Sequence, residues 1–423
     1  MRVPTDIAVE EVPGPGFLAR HPFLVLASPA VLWVLGLGIY RLFFHPIAKF
    51  PGPKLAGLTY WYETYHDFLR GGKYTEKISD LHDKYGPIIR INPEELHVRD
   101  PKFIDTLYTY GSKRGISSWF TGPFERTSVP KAVLQPANVG APVGVQTYDR
   151  DAYETLTDID QGAVKPSEST RATVFTEILT SNMPDSEKDT ERLSREAQAM
   201  VQAGIETVSW SLTTNLTYLL SNPHALARLR AELLAAIPPS PNSSPADLPS
   251  WTTLEQLPYL SACVLEGLRL GYGVVTRLAR IPETETLVYT DEDSHPSSKN
   301  YGRTWSIPPG TPVGMSAYIV HHDERVFKDS RAYRPERWLD AEGKRNNKKL
   351  EGCLLSFSKG SRQCVGMNLA HAELWLGLAT WVRWFGDRLE LAEGCGVEDV
   401  LYVVSFLLSY FSLSLVIRFA SSG

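Results

Sequence analysis

Cysteine is scarce in this chain. Four occur in 423 residues, at Cys263, Cys353, Cys364 and Cys395. No C-x-x-C pair is present and the spacing is irregular, so neither a structural zinc site nor a disulfide framework is indicated. A reducing, cytosol-facing environment fits that usage. Excess positive charge is also missing: the formal net charge is −5, so no nucleic-acid partner is expected. There is no internal repeat. The lone glycine pair Gly271-Tyr272-Gly273 does not make a nucleotide loop. What remains is a chain with 43% hydrophobic and 22% charged residues, which is globular and long enough for one large domain or two ordinary ones.

Two uncharged runs stand out. Residues 23–40 (FLVLASPAVLWVLGLGIY) are long enough for a transmembrane helix. Arg41, His45, Lys49 and Lys54 follow it, and this excess of positive charge places the main body in the cytosol. No small-residue cleavage site comes after it, so the run reads as an uncleaved signal anchor within residues 1–45. Pro46, Pro51, Gly52 and Pro53 form a stiff hinge to the body, residues 46–423. Residues 400–417 (VLYVVSFLLSYFSLSLVI) read as a strand-like tail or a second span, because Ser412-Leu413-Ser414-Leu415 alternates with period two.

Between the two runs the pattern is mostly helical. Residues 55–85 read as helix broken at Gly71-Gly72, and two short strands flank an Asn92-Pro93 turn. A helix with proline in its first turn covers 101–110. Residues 191–220 and 254–270 read as long helices, with a solvated linker at 237–250 between them. From 111 to about 173 the text turns rich in Gly, Pro, Ser, Thr and Asp and loses its periodicity.

The most informative stretch is residues 357–366, FSKGSRQCVG. Cys364 sits in a glycine-bounded loop just ahead of the apolar helical run 369–385. A thiolate there is stabilised by the helix dipole and by backbone N–H groups with no helical partner. That arrangement suits an axial thiolate ligand to haem iron, which favours O–O cleavage. Gly360 and Gly366 allow close backbone approach to a flat cofactor, Phe357 shields the sulfur, and Arg362 pairs with a haem propionate. The stretch resembles the haem-binding loop of the cytochromes P450, Phe-x-x-Gly-x-Arg-x-Cys-x-Gly, at every defined position.

Other matches support the resemblance. Ala203-Gly204-Ile205-Glu206-Thr207 lies mid-helix, where the threonine hydroxyl can bond the preceding turn's carbonyl and open the helix locally. It resembles the family's oxygen-activation motif, with Glu206 as acid and Thr207 as alcohol delivering protons. Glu266 and Arg269 match its Glu-x-x-Arg pair, and Arg337 of PERW fills the third place of a network that supports the thiolate loop. Of Arg277 and Arg280, Arg280 better matches the family's second propionate partner. His321 and His322 look like metal ligands but fall at a structural turn of the family.

The resemblance implies a mainly α fold with a small β-sheet, haem b as cofactor, and electrons from NADPH through a separate cytochrome P450 reductase. It also implies an endoplasmic reticulum membrane location with the catalytic body in the cytosol. Fungal, membrane-anchored, trichodiene-oxygenase-like enzymes are the most similar group, so the expected function is oxygen insertion into an apolar small molecule such as a terpenoid or other secondary metabolite. The middle departs from the family: no Trp-x-x-x-Arg pattern occurs, and Trp119 is followed by Pro123 rather than Arg. A truncated fold is therefore expected, atypical at 111–173 and 390–423. Two alternatives accompany this reading: an impaired relative that binds haem weakly, and a haem-thiolate isomerase or dehydratase, against which Glu206 and Thr207 speak.

Overall fold

A computed structural model describes residues 22–111, 114–116, 174–239, 244–292, 300–400 and 417–419. Helices dominate. The longer ones are α1 (Pro22–Ile39), α2 (Tyr74–Tyr85), α3 (Thr190–Leu220), α4 (Pro223–Ala236), α5 (Pro258–Gly271) and α6 (Met367–Thr380). Their ends follow local chemistry. Asp189 and Asn222 cap α3 and α4 by accepting backbone N–H bonds, and Pro223 and Pro258 occupy first turns, where no amide hydrogen is needed. Pro258 is also why the expected helix over 254–270 begins four residues late, after a separate turn at Trp251–Leu254.

Five short strands form the main sheet in the order β1 (Ile88–Arg90), β2 (Leu96–Val98), β7 (Val313–Gly314), β4 (Arg280–Ile281) and β3 (Gly115–Ile116). Only the β2–β7 pairing is parallel. The β1–β2 turn is the expected one: Asn92 Oδ1 accepts from the Glu94 and Glu95 backbone N–H groups. Separate hairpin-like pairs join β5 (Leu287–Thr290) to β6 (Thr304–Ile307), and β8 (Leu389–Leu391) to β9 (Ile417–Phe419). Of the C-terminal run 400–417, residues 401–416 lie outside the described residues.

Two large apolar cores result. One packs α2 and the main sheet through Ile78, Leu81, Ile89, Leu96, Val313 and Met315. The other lies among α3, α4, α5 and α6, through Leu219, Leu229, Leu260, Leu268, Leu374 and Leu378. The helices cross closely. A Cβ on Gly267 would fall 1.8 Å from Asn215 Nδ2, and one on Gly377 would fall 3.0 Å from Leu212 Cδ1. Glycine therefore sets the α3–α5 and α3–α6 approach, which holds the chain's chemistry-bearing segments together.

The N-terminal expectation needs correction. Residues 23–39 do fold as helix, within α1, but α1 is 18 residues long with Pro29 inside it, and no helix among the described residues is long and apolar enough to cross a membrane.

Candidate functional site

The cysteine loop is closed by its own backbone. The Cys364 N–H donates to Phe357 O at 2.9 Å, and a single tight turn, Gly360–Arg362, is crossed by Gln363 N–H to Gly360 O at 3.0 Å. Two residues take left-handed backbone, Ser358 at φ 57° and Gly360 at φ 73°. A Cβ on Gly360 would lie 2.3 Å from Tyr108 O, so this glycine is required by the chain's own packing. Gly366 meets nothing within 4 Å and serves as the N-cap of α6 with no side-chain cap. The first α6 bond closes at Ala370, so the amide groups of Met367, Asn368 and Leu369 have no helical partner. Cys364 itself is exposed at that helix start, beside the almost fully exposed Val365.

Three anchors hold the loop to the helices behind it. Ser356 Oγ donates to Leu268 O at 2.8 Å. Leu355 N–H donates to His321 Nε2 at 2.9 Å, which leaves the proton on Nδ1, donating to Arg269 O at 2.8 Å. Both nitrogens of His321 are thus used in packing, and burial pushes its pKa down to about 3, so it stays neutral. His322 bonds Tyr272 through Nε2 and Ser330 through Nδ1. No group of three metal-ligating side chains occurs among the described residues.

Beneath these contacts lies a buried charge cluster. Glu266 and Arg269 are both fully buried. Glu266 accepts from Arg269 Nε at 2.9 Å and Nη2 at 2.8 Å, and from Arg337 Nε at 3.1 Å. The Arg334 backbone N–H and Trp338 Nε1 complete its shell, at 2.8 and 3.0 Å. Arg269 reaches the carbonyls of His321, Ser330 and Ala332. One carboxylate and two guanidinium groups so tie α5 to the Pro335–Trp338 turn and the segment before it.

The two arginines weighed from sequence are separated by their partners. Arg277 is paired with Glu63 at 2.7 Å and Glu95 at 3.2 Å, so it is committed within the fold. Arg280 is buried, donates to Leu278 O and to Ser358 Oγ at 2.8 Å, and lies 5.0 Å from the Tyr108 ring centre. Among the described residues it has no carboxylate partner. Its pKa is lowered by burial and by the like charge of Arg362 nearby, although Tyr108 opposes the shift. Arg280 and Arg362, neither with a carboxylate partner among the described residues, together suit a bound anion. Ser358, which orients Arg280, was not foreseen. Its signal in the sequence was only its place inside the loop.

On α3, Thr207 Oγ1 donates to Ala203 O at 2.8 Å, as its helical spacing suggested. The helix nonetheless runs unbroken over Thr190–Leu220, so the expected local opening is not present. Ala203, Gly204 and Ile205 are exposed, a Cβ on Gly204 would meet nothing within 4 Å, and Glu206 is half-buried. Phe357 packs 5.0 Å from the His371 ring of α6, and both line a cleft of about 570 Å³ with Tyr108, Leu268, Gln363 and Met367.

These features suit a flat, dianionic iron cofactor. Cys364 offers a soft sulfur ligand at an uncapped helix start, and Arg280 and Arg362 offer two cations for carboxylates. The site and the mainly helical fold match what a haem-thiolate protein needs. The family model for Cytochrome P450 matches residues 154–401. Cytochrome P450 monooxygenase astB of Talaromyces wortmannii is 37% identical, over 89% of this chain and 90% of its own. Cytochrome P450 monooxygenase ppzE of Metarhizium rileyi is 38% identical over 84% and 88%, and stellatic acid synthase of Emericella variicolor 32% over 92% of each. The chain belongs to the cytochrome P450 family, and it is an oxidoreductase whose relatives are fungal secondary-metabolite monooxygenases.

The comparisons also bear on the expected truncation. The family match starts at residue 154, inside the stretch 111–173 that the sequence reading set apart. The astB alignment runs over 469 positions, more than this chain has residues, so astB carries segments with no counterpart here. The ppzE alignment runs over 367 positions and spans 88% of ppzE, so that relative is no longer than this chain. A truncated fold is therefore not shown. The Trp119 region lies outside the described residues.

Proposed function

We propose that this chain is a haem-thiolate monooxygenase that inserts one oxygen atom of O2 into an apolar small molecule, a terpenoid or other fungal secondary metabolite. The observation that carries the reading is Cys364, exposed at the uncapped start of α6 and accompanied by Arg280 and Arg362, neither of which has a carboxylate partner among the described residues. Cys364 Sγ would ligate the iron, and the two guanidinium groups would hold the propionates of haem b. The haem, when bound, supplies dioxygen activation and oxygen insertion, with electrons from NADPH through a separate reductase.

The chain's own residues do the rest. The buried Glu266–Arg269–Arg337 cluster and His321 hold the loop so that the sulfur keeps one position. Thr207 Oγ1 keeps a hydroxyl proton at Ala203 O, beside Glu206, on the exposed stretch of α3. Turning that hydroxyl outward passes a proton from the Glu206 side, which suits proton delivery during oxygen cleavage. The relatives' names support a secondary-metabolite substrate. The apolar, exposed side chains of Val31–Leu35 support attachment of the N-terminal segment to the endoplasmic reticulum membrane.

The test is the carbon monoxide difference spectrum of the purified, reduced protein, with and without the gas. A thiolate-type band is expected for the native chain. Cys364→Ser should lose it, because a serine hydroxyl is far too weakly acidic to be the same donor. A thiolate-type band that persists in the variant overturns the ligand assignment.

A further inference from the structure

Four aromatic rings run in unbroken contact from the cysteine loop to the protein surface. Phe357, whose carbonyl accepts the Cys364 N–H at 2.9 Å, lies 5.0 Å from the His371 ring centre. His371 and Trp375 stand four residues apart on α6, so their rings meet edge to face at 5.3 Å. Trp375 then stacks on Trp251 at 6.2 Å, with the two planes 5° apart. All three separations fall in the range of aromatic contact. Trp375 is buried, while Trp251 is 42% exposed on the turn Trp251–Leu254, which Ser250 caps by accepting the Thr253 N–H. Burial accounts for Trp375. It does not account for an indole held flat against it that stays partly in water.

The order of the rings gives the chain a direction. An indole gives up an electron far more readily than a phenyl ring or a neutral imidazole. Trp375 and Trp251 can therefore hold a positive charge, and Phe357 and His371 form the bridge to them. Burial pushes the His371 pKa down to about 4, so its ring is neutral and does not repel that charge. Trp375 Nε1 has no hydrogen-bond partner among the described residues, so no group there takes its proton once the ring is oxidised. A cation left on the buried Trp375 is poorly solvated, and moving it to the hydrated Trp251 is favourable. An indole accepts an added electron poorly, so the chain suits charge leaving the cysteine site and not electrons entering it.

We propose that this ring chain carries oxidising equivalents from the haem site to Trp251, giving the protein a second activity: peroxide-driven oxidation of one-electron donors, phenols or enediols, at its surface. The proposal rests on the haem-thiolate reading. Hydrogen peroxide, released when NADPH is consumed without product, is the oxidant. Its O–O bond breaks at the haem, it gains two electrons through the chain and two protons from water, and it leaves as two water molecules. The electrons come one at a time from Trp375. Each is replaced from Trp251, and Trp251 is refilled by the donor. With ascorbate as donor, two electrons and two protons leave it as it becomes dehydroascorbate, so charge and protons balance. No bond to either indole forms or breaks.

The test uses full-length, haem-loaded protein with hydrogen peroxide and a nitroso spin trap, without NADPH or reductase. Trapped sites are located by peptide mass spectrometry, and the carbon monoxide spectrum is recorded on the same sample. An adduct on Trp251 is expected, and none when haem is absent. In Trp375→Phe the adduct should fall by about tenfold or more with the thiolate-type band kept, because a phenyl ring passes the charge only over a higher barrier. An adduct that does not fall overturns the proposal. In Trp251→Phe, a change at a partly exposed position, ascorbate oxidation should fall as far while peroxide bleaches the haem faster. If both rates match the native protein, the proposal is overturned whatever Trp375→Phe does to folding. Trp61, 75% exposed and outside the chain, is the control: equal trapping there shows a diffusing oxidant and overturns the proposal. Trapping on Tyr110, which is 72% exposed and bonds Gln363 of the loop, in place of Trp251 overturns the route. A thiolate-type band with no adduct on Trp251 overturns the proposal alone. Absence of that band overturns the haem-thiolate reading and the proposal with it.

Discussion

Replacing Glu266 by Gln removes one charge from the buried heart of the Glu266–Arg269–Arg337 cluster. The carboxylate accepts five hydrogen bonds, three of them from Arg269 and Arg337, and both it and Arg269 are completely buried. Taking away one partner of a buried pair leaves the other uncompensated and costs about 3–5 kcal/mol. The amide also turns an NH2 group toward donors, where a carboxylate had only acceptors. Against a total stability of about 5–15 kcal/mol, that is a large share. The assay is urea unfolding followed by circular dichroism, with Glu255→Gln as control. Glu255 lies 4.0 Å from Arg345 with both side chains about a third exposed, so that change should cost under about 1 kcal/mol. A Glu266→Gln midpoint indistinguishable from that control would refute the view that this cluster holds the fold beneath the cysteine loop.

Three further outcomes are expected. Thr207→Ala removes the hydroxyl that bonds Ala203 O, so haem content should hold while NADPH oxidation yields peroxide in place of product; unchanged coupling would reject the proton-delivery role. Gly360→Ala forces a side chain against Tyr108 O at φ 73° and should lower stability by about 1–3 kcal/mol, read as a lowered unfolding temperature; a neutral change would show that the loop relaxes freely. Burial pushes His82, His321 and His322 down to about 3 and His371 to about 4, below the unfolded value of 6.5. The unfolded chain then binds more protons, so stability is complete above pH 6.5 and is lost as pH falls toward 4, by about 1.4 kcal/mol per histidine at pH 5.5. A flat unfolding midpoint between pH 7 and 5 would contradict that burial.

Local chemistry was enough to read several parts of this protein from sequence. The loop around Cys364 was legible because its glycines, arginine and cysteine act within ten residues and open a helix. The Asn92-Pro93 turn and the Gly71-Gly72 break were legible for the same reason: each is a backbone requirement met on the spot, with φ 66° and 81° at the two glycines. The Glu266–Arg269 pair shares one helix face, so its spacing was visible. That it is fully buried under Trp338 was not, because the covering turn lies some seventy residues on.

Partnership across the chain decided the rest. Arg277 and Arg280 are three residues apart and identical in chemistry, yet Glu63 and Glu95 claim the first and Ser358 orients the second. Gly360 reads as room for a cofactor until Tyr108 O is found where its side chain would be. Residues 55–85 read as helical, but that pattern does not say that Trp61, Phe68 and Leu69 face outward. Sequence alone determined the family, the glycine-bounded cysteine loop and the mainly helical fold, since those depend on motifs and short-range backbone preferences. Only the tertiary structure decided which charges are spent on holding the fold and which remain to receive a ligand, because burial and pairing depend on neighbours brought from distant parts of the chain.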